Sequence, residues 1–71
     1  MLFKDFIKVM PMLRTYGFYV RWNKDPEHKT EFFTYKKFTD RYDFKKIQII
    51  KCDRHFCYDS DFNFELVLKK L

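Results

Sequence analysis

The side chains with the most chemical reach lie close together in this chain: Cys52, Asp53, Arg54, His55 and Cys57, with His28 well upstream. Thiolate and imidazole are the ligands that zinc prefers, so a metal centre is the first chemistry to weigh. The spacing argues against it. Structural zinc sites draw their ligands in pairs, each pair a few residues apart across a turn. Here the candidates fall along strand-like sequence, where diagonal positions do not converge on one ion. Cys52 and Cys57 read as small core residues, and neither a metal nor a cofactor is expected. On the diagonal of a hairpin their Cβ atoms stand roughly 7 Å apart, too far for a comfortable disulfide. Free thiols in a reducing compartment, the cytoplasm of a host cell, are the expectation.

A toxin-like ribonuclease would use His55 as general acid or base, Arg54 or Lys51 on the phosphate, and Asp53 to orient the imidazole. Neighbours on a strand point to opposite faces, and no second catalytic group accompanies His55. Asp53 and Arg54 therefore read as turn residues and His55 as a partly buried strand histidine. The chain is expected to be no enzyme.

Binding fits the composition better. Single-stranded nucleic acid is recognised by aromatic platforms set beside Lys and Arg that meet the phosphates. Phe56 and Tyr58 with Lys51, Lys36, Lys37 and Arg41 on a short helix, and Lys45 and Lys46 ahead of the last sheet segment supply both types. No glycine–aromatic RNP-like motif, KH loop or helix-turn-helix accompanies them. Protein interfaces also centre on Tyr, Trp, Phe, Met and Arg. Tyr19, Arg21, Trp22, Tyr35, Tyr42, Phe56 and Tyr58 are too many to bury in a thin core, so some form an exposed aromatic patch, unless they pack in a second small core under the short helix. The candidate partner-binding residues are thus Tyr19, Arg21, Trp22, Tyr35, Lys36, Lys37, Arg41, Lys45, Lys46, Lys51, Arg54, Phe56 and Tyr58.

These residues must be positioned by a small α+β domain spanning residues 1–71. From Leu2 to Leu13 the apolar residues recur every three or four positions, with Lys4, Asp5, Lys8 and Arg14 opposite, which predicts an amphipathic helix. Pro11 either ends or kinks it. Gly17 marks the turn out of the helix, and Phe18–Trp22 alternates as a strand. Asn23–Lys29, with Pro26, is a loop, leading into a second strand, Thr30–Tyr35, that forms a hairpin with the first. Thr34 can cap a short helix over Tyr35–Asp43, in which Tyr35, Phe38 and Tyr42 share a face. Lys45 to Leu68 reads as a three-stranded antiparallel meander, with a two-residue turn at Asp53 and Arg54. That register puts Ile50, Cys52, His55 and Cys57 on the core face with Phe62, Phe64, Leu66 and Leu68. The other face carries Ile47, Ile49, Lys51, Phe56 and Tyr58.

A 71-residue chain can bury little, and ten Phe, five Tyr and one Trp are how this one compensates. Alanine is absent, and the abundance of Phe, Tyr, Ile, Asn and Lys implies AT-rich codons. Such shortness and bias suggest a phage or mobile-element gene. Lys4, Asp5 and Lys8 interrupt the N-terminal apolar stretch, so neither a signal peptide nor a membrane partner is expected. The net charge of +5 excludes an acidic mimic of DNA. The function expected is a small basic inhibitor of a host protein, with nucleoprotein nucleases of host defence, CRISPR effectors among them, as leading targets. A small RNA- or DNA-binding regulator is the alternative, and a homodimer through a strand edge is compatible with either.

Overall fold

Pro11 decides the N-terminal architecture. In a computed structural model, which describes residues 1–27, 29–56 and 62–71 (side chains at 54–56, 62 and 63 excepted), the first helix ends before Pro11, the first of the two outcomes expected there, and a second one begins. Helix α1 is Phe3–Val9 and helix α2 is Met12–Tyr16, with Pro11 at the N-cap of the second. A proline has no N–H to give an interior turn, and at a helix start none is needed. Phe3, Ile7 and Leu13 are buried, so the predicted apolar stripe is the one that packs, while Val9 is exposed.

Gly17 closes α2, and its N–H donates to the Leu13 carbonyl at 3.1 Å. Its φ of 78° and ψ of −173° lie in a region that essentially only glycine enters. A Cβ at this position would stand 2.5 Å from Phe32 Cζ and 2.8 Å from the Phe33 carbonyl oxygen. Gly17→Ala is therefore expected to destabilise the fold by at least the roughly 1–3 kcal/mol that such backbone strain costs. A urea melt reads this as a lowered midpoint at unchanged slope.

Strand β1 is Phe18–Trp22 and β2 is Thr30–Phe33, an antiparallel hairpin across the polar loop. The Thr34 hydroxyl accepts from the Lys37 N–H at 3.3 Å and opens helix α3, Tyr35–Arg41, slightly shorter than its periodicity suggests. A 3-10 turn at Phe44–Lys46 follows, then β3 (Ile47–Phe56) and β4 (Phe62–Lys70). The sheet order is β2-β1-β4-β3, and β1 lies parallel to β4. The α+β class with helices over a small sheet holds. The sheet is mixed where an all-antiparallel one is expected from the sequence.

The C-terminal segment departs most from its sequence reading. In place of a three-stranded meander there is one hairpin, and β3 runs unbroken through Asp53 and Arg54, which pair with Glu65 and Phe64. Cys52 pairs with Leu66 and not with His55. Charged residues tolerate this place because β3 is an edge strand with one uncovered face, and Lys51 Nζ meets Asp53 Oδ2 at 3.3 Å. A bulge between Ile49 and Lys51 shifts the phase of the strand. Ile47 and Ile49 are buried under the helices and Ile50 is half exposed, the reverse of the expected faces. On β4 the expected core face holds for Phe64, Leu66 and Leu68. Cys57, Tyr58 and His28 lie outside the described residues.

The core lies between the sheet and the helices and is largely aromatic. Phe38 of α3 contacts the rings of Phe3, Phe18, Phe33, Trp22 and Tyr42 at centroid distances of 4.8–6.5 Å. At the edge of β3, the Ile49 N–H donates to the Met1 carbonyl and Leu2 bridges to Gln48, so the N-terminus covers part of that edge. Among the described residues no helix is long and apolar enough to cross a membrane.

Candidate nucleic-acid interface

Parallel pairing of β1 and β4 makes both strands finish at the same end of the sheet. Trp22 ends β1 opposite Leu68, and Lys70 follows two residues on, on the same face. The turn after β1 is held there by the Asn23 N–H, which donates to the Leu68 carbonyl at 3.0 Å. Helix α3 closes this corner from above with Tyr42, whose ring centre is 5.1 Å from that of Trp22. The Lys70 ammonium sits 4.9 Å from the Trp22 ring centre and 5.1 Å from that of Tyr42. Two aromatic faces thereby hold one cation in place.

Shallow clefts open on both sides of Lys70. One, of about 230 Å³, is lined by Trp22, Asn23, Lys24, Asp25, Lys69 and Lys70. The other, of about 180 Å³, lies among Tyr42, Asp43, Lys46, Ile47, Lys70 and Leu71. The acidic groups in them are already engaged by backbone. Asp25 accepts from the N–H groups of Glu27 and Lys29, and Asp43 accepts from that of Lys45. Lys24, Lys46, Lys69 and Lys70 make no ion pair among the described residues, as is true of Lys4, Lys8, Lys36, Lys37 and Lys45, but the first four are gathered around the two clefts. This end of the molecule thus sets four ammonium groups, Lys24, Lys46, Lys69 and Lys70, against the two carboxylates of Asp25 and Asp43, over an aromatic base.

The sequence-derived candidates are spread over several parts of the fold. Trp22, Arg41 and Lys46 belong to the corner, with Lys45 beside it; Arg41 lies over the Tyr42 and Phe33 rings and pairs with Glu31 at 3.5 Å. Tyr19, Arg21 and Lys51 lie on the sheet face that the helices leave uncovered, where Tyr19 packs edge-on against Phe32 and Arg21 meets Glu65 at 3.6 Å. Tyr35, under Arg14, and the exposed Lys36 and Lys37 belong to α3. Arg54 and Phe56 hold register positions opposite Phe64 and Phe62 on β3, and Tyr58 lies outside the described residues.

Among the described residues no single exposed patch gathers these aromatics. Trp22, Tyr35 and Tyr42 are half buried against the main core beneath α3, so the separate second core expected as the alternative does not form around them. The corner also uses residues that are not among the candidates: Lys70, Lys69, Lys24 and Tyr42. The one available signal is the lysine pair that directly follows the alternating run of β4.

No group of three or more metal-ligating side chains occurs among the described residues. Cys52 is a free, half-buried thiol, and its pKa is raised from the ordinary value, first by burial and then by the charge of Asp53. It is therefore protonated at neutral pH, the state of a structural rather than a reactive cysteine. Compared with protein-family models, curated proteins and solved structures, the chain matches none.

Proposed function

We propose that this chain is a small non-enzymatic binding protein whose partner is single-stranded nucleic acid, met at the corner built by Trp22, Tyr42 and Lys70. The observation that carries this reading is the net positive charge of two clefts that share Lys70, four lysines against Asp25 and Asp43, beside the Trp22 and Tyr42 rings. A positively charged groove that tracks the backbone is one of the two elements by which single-strand binders hold their ligand. The test is binding to labelled single-stranded RNA, single-stranded DNA and duplex DNA over a salt series. Affinity for the single strands is expected to fall with log salt at a slope of about −0.7 for each phosphate contacted. Absence of binding at low salt overturns the reading.

The uncovered sheet face favours a second reading, an inhibitor of a host protein, with nucleic-acid-guided defence nucleases as leading targets. Tyr19 and the half-exposed Phe32 form an aromatic centre there, with the Arg21–Glu65 and Lys51–Asp53 pairs around it, which is the make-up of a protein interface. Lowered target cleavage by a purified CRISPR effector, relieved by Tyr19→Ala together with Phe32→Ala, is the result that would support it.

A further inference from the structure

Resting on the nucleic-acid reading above, we infer that the corner takes the phosphodiester backbone and leaves the bases outside, with Lys70 as the pivot between two phosphate contacts. The rings are already committed within the protein. Trp22 lies near-parallel to Phe38, at an interplanar angle of 19° and a centroid distance of 6.5 Å, and it also packs on Tyr42. Both Trp22 and Tyr42 carry the Lys70 ammonium, and Tyr42 carries the Arg41 guanidinium as well. A base that stacked here would have to displace those cations. An anion has only to approach them.

The clefts agree with this in size and in charge. At about 230 and 180 Å³ they fall below the roughly 300–1,000 Å³ of pockets that enclose a ligand of drug size. Each offers more ammonium than carboxylate: Lys24, Lys69 and Lys70 beside Asp25 on one side, Lys46 and Lys70 beside Asp43 on the other. Because Lys70 lines both, a chain of phosphates crossing the end of the sheet meets it in passing from one cleft to the next. Ring contacts on its ammonium hold that charge in place before any ligand arrives. Recognition of this kind reads charge spacing and carries no base preference.

The experiment compares oligothymidylate with an oligomer of the same length made of abasic deoxyribose phosphates, by fluorescence anisotropy over a salt series. Poly-glutamate of equal charge serves as competitor. The two oligomers are expected to bind with closely similar affinity and salt slope, and poly-glutamate to compete poorly. Lys70→Gln should weaken both oligomers about fivefold at 0.1 M salt, the effect of one lost single-strand phosphate contact. Lys70→Arg, which keeps the charge, should retain binding. If thymidylate binds and the abasic oligomer does not, the bases are stacked; the inference fails while the nucleic-acid reading stands. If Lys70→Gln changes neither, or poly-glutamate competes as well as the oligomers, the inference fails likewise. If neither oligomer binds, the nucleic-acid reading itself is lost.

Discussion

Phe38→Ala is expected to leave the protein at the edge of unfolding. The ring is fully buried and touches Phe3, Phe18, Phe33, Trp22 and Tyr42, so it joins α1, both strands of the first hairpin and the end of its own helix. Removing a buried phenylalanine ring costs roughly 3–5 kcal/mol, because lost transfer energy adds to an unfilled cavity. A domain of 71 residues has in total only about 4–11 kcal/mol, at the usual stability per residue. Phe38→Leu keeps most of the volume and should cost under about 1.5 kcal/mol. Urea melts of the two variants check both numbers. A loss below about 1 kcal/mol for alanine, the range of an ordinary substitution, would mean that the ring does not hold these elements together. Since Trp22 lies against this ring, the alanine variant should also lose any binding made at the corner.

Changing Lys24, Lys46, Lys69 and Lys70 together to Gln is expected to abolish single-strand binding while leaving the fold intact. All four are exposed, so each substitution should change stability little. If each meets one phosphate, the loss at 0.1 M salt is about 600-fold, and the salt slope flattens by about 2.8. The control is Lys4, Lys8, Lys36 and Lys37 changed to Gln, which removes the same charge from exposed helix positions. At 0.1 M salt the Debye length is about 10 Å, so charges remote from the ligand are largely screened and the control should lose little. Equal losses from the two variants would assign binding to net charge alone, and the corner would have no special standing. Indifference of both, with cleavage by a defence nuclease still inhibited, would move the working surface to Tyr19 and Phe32.

Much of the fold was legible locally. The stripe of Phe3, Ile7 and Leu13, the turn at the single glycine, the alternation of Phe18–Trp22, the Thr34 cap and the face of Phe64, Leu66 and Leu68 each follow from the period and chemistry of a few neighbouring residues. The candidate site was less legible. Trp22, Arg41 and Lys46 could be named from residue type, but nothing local separates them from Lys36 or Tyr35, which the fold carries elsewhere.

Two decisions belong to the tertiary structure. The bulge after Ile49 lets Ile47 and Ile49 face the core while Cys52 beyond it keeps its expected core side, because an extra residue in one strand changes which side chains meet the partner, and local alternation cannot register it. The same long-range pairing with β4 keeps Asp53 and Arg54 inside a strand where their polarity suggests a turn. Parallel pairing of β1 with β4 then brings Trp22 and Lys70 to one end of the sheet. Sequence by itself determined most of the local elements and the aromatic character of the core. The meeting of Trp22 and Lys70 at one corner depends on hydrogen bonding between strands far apart in the chain, which no short-range pattern encodes.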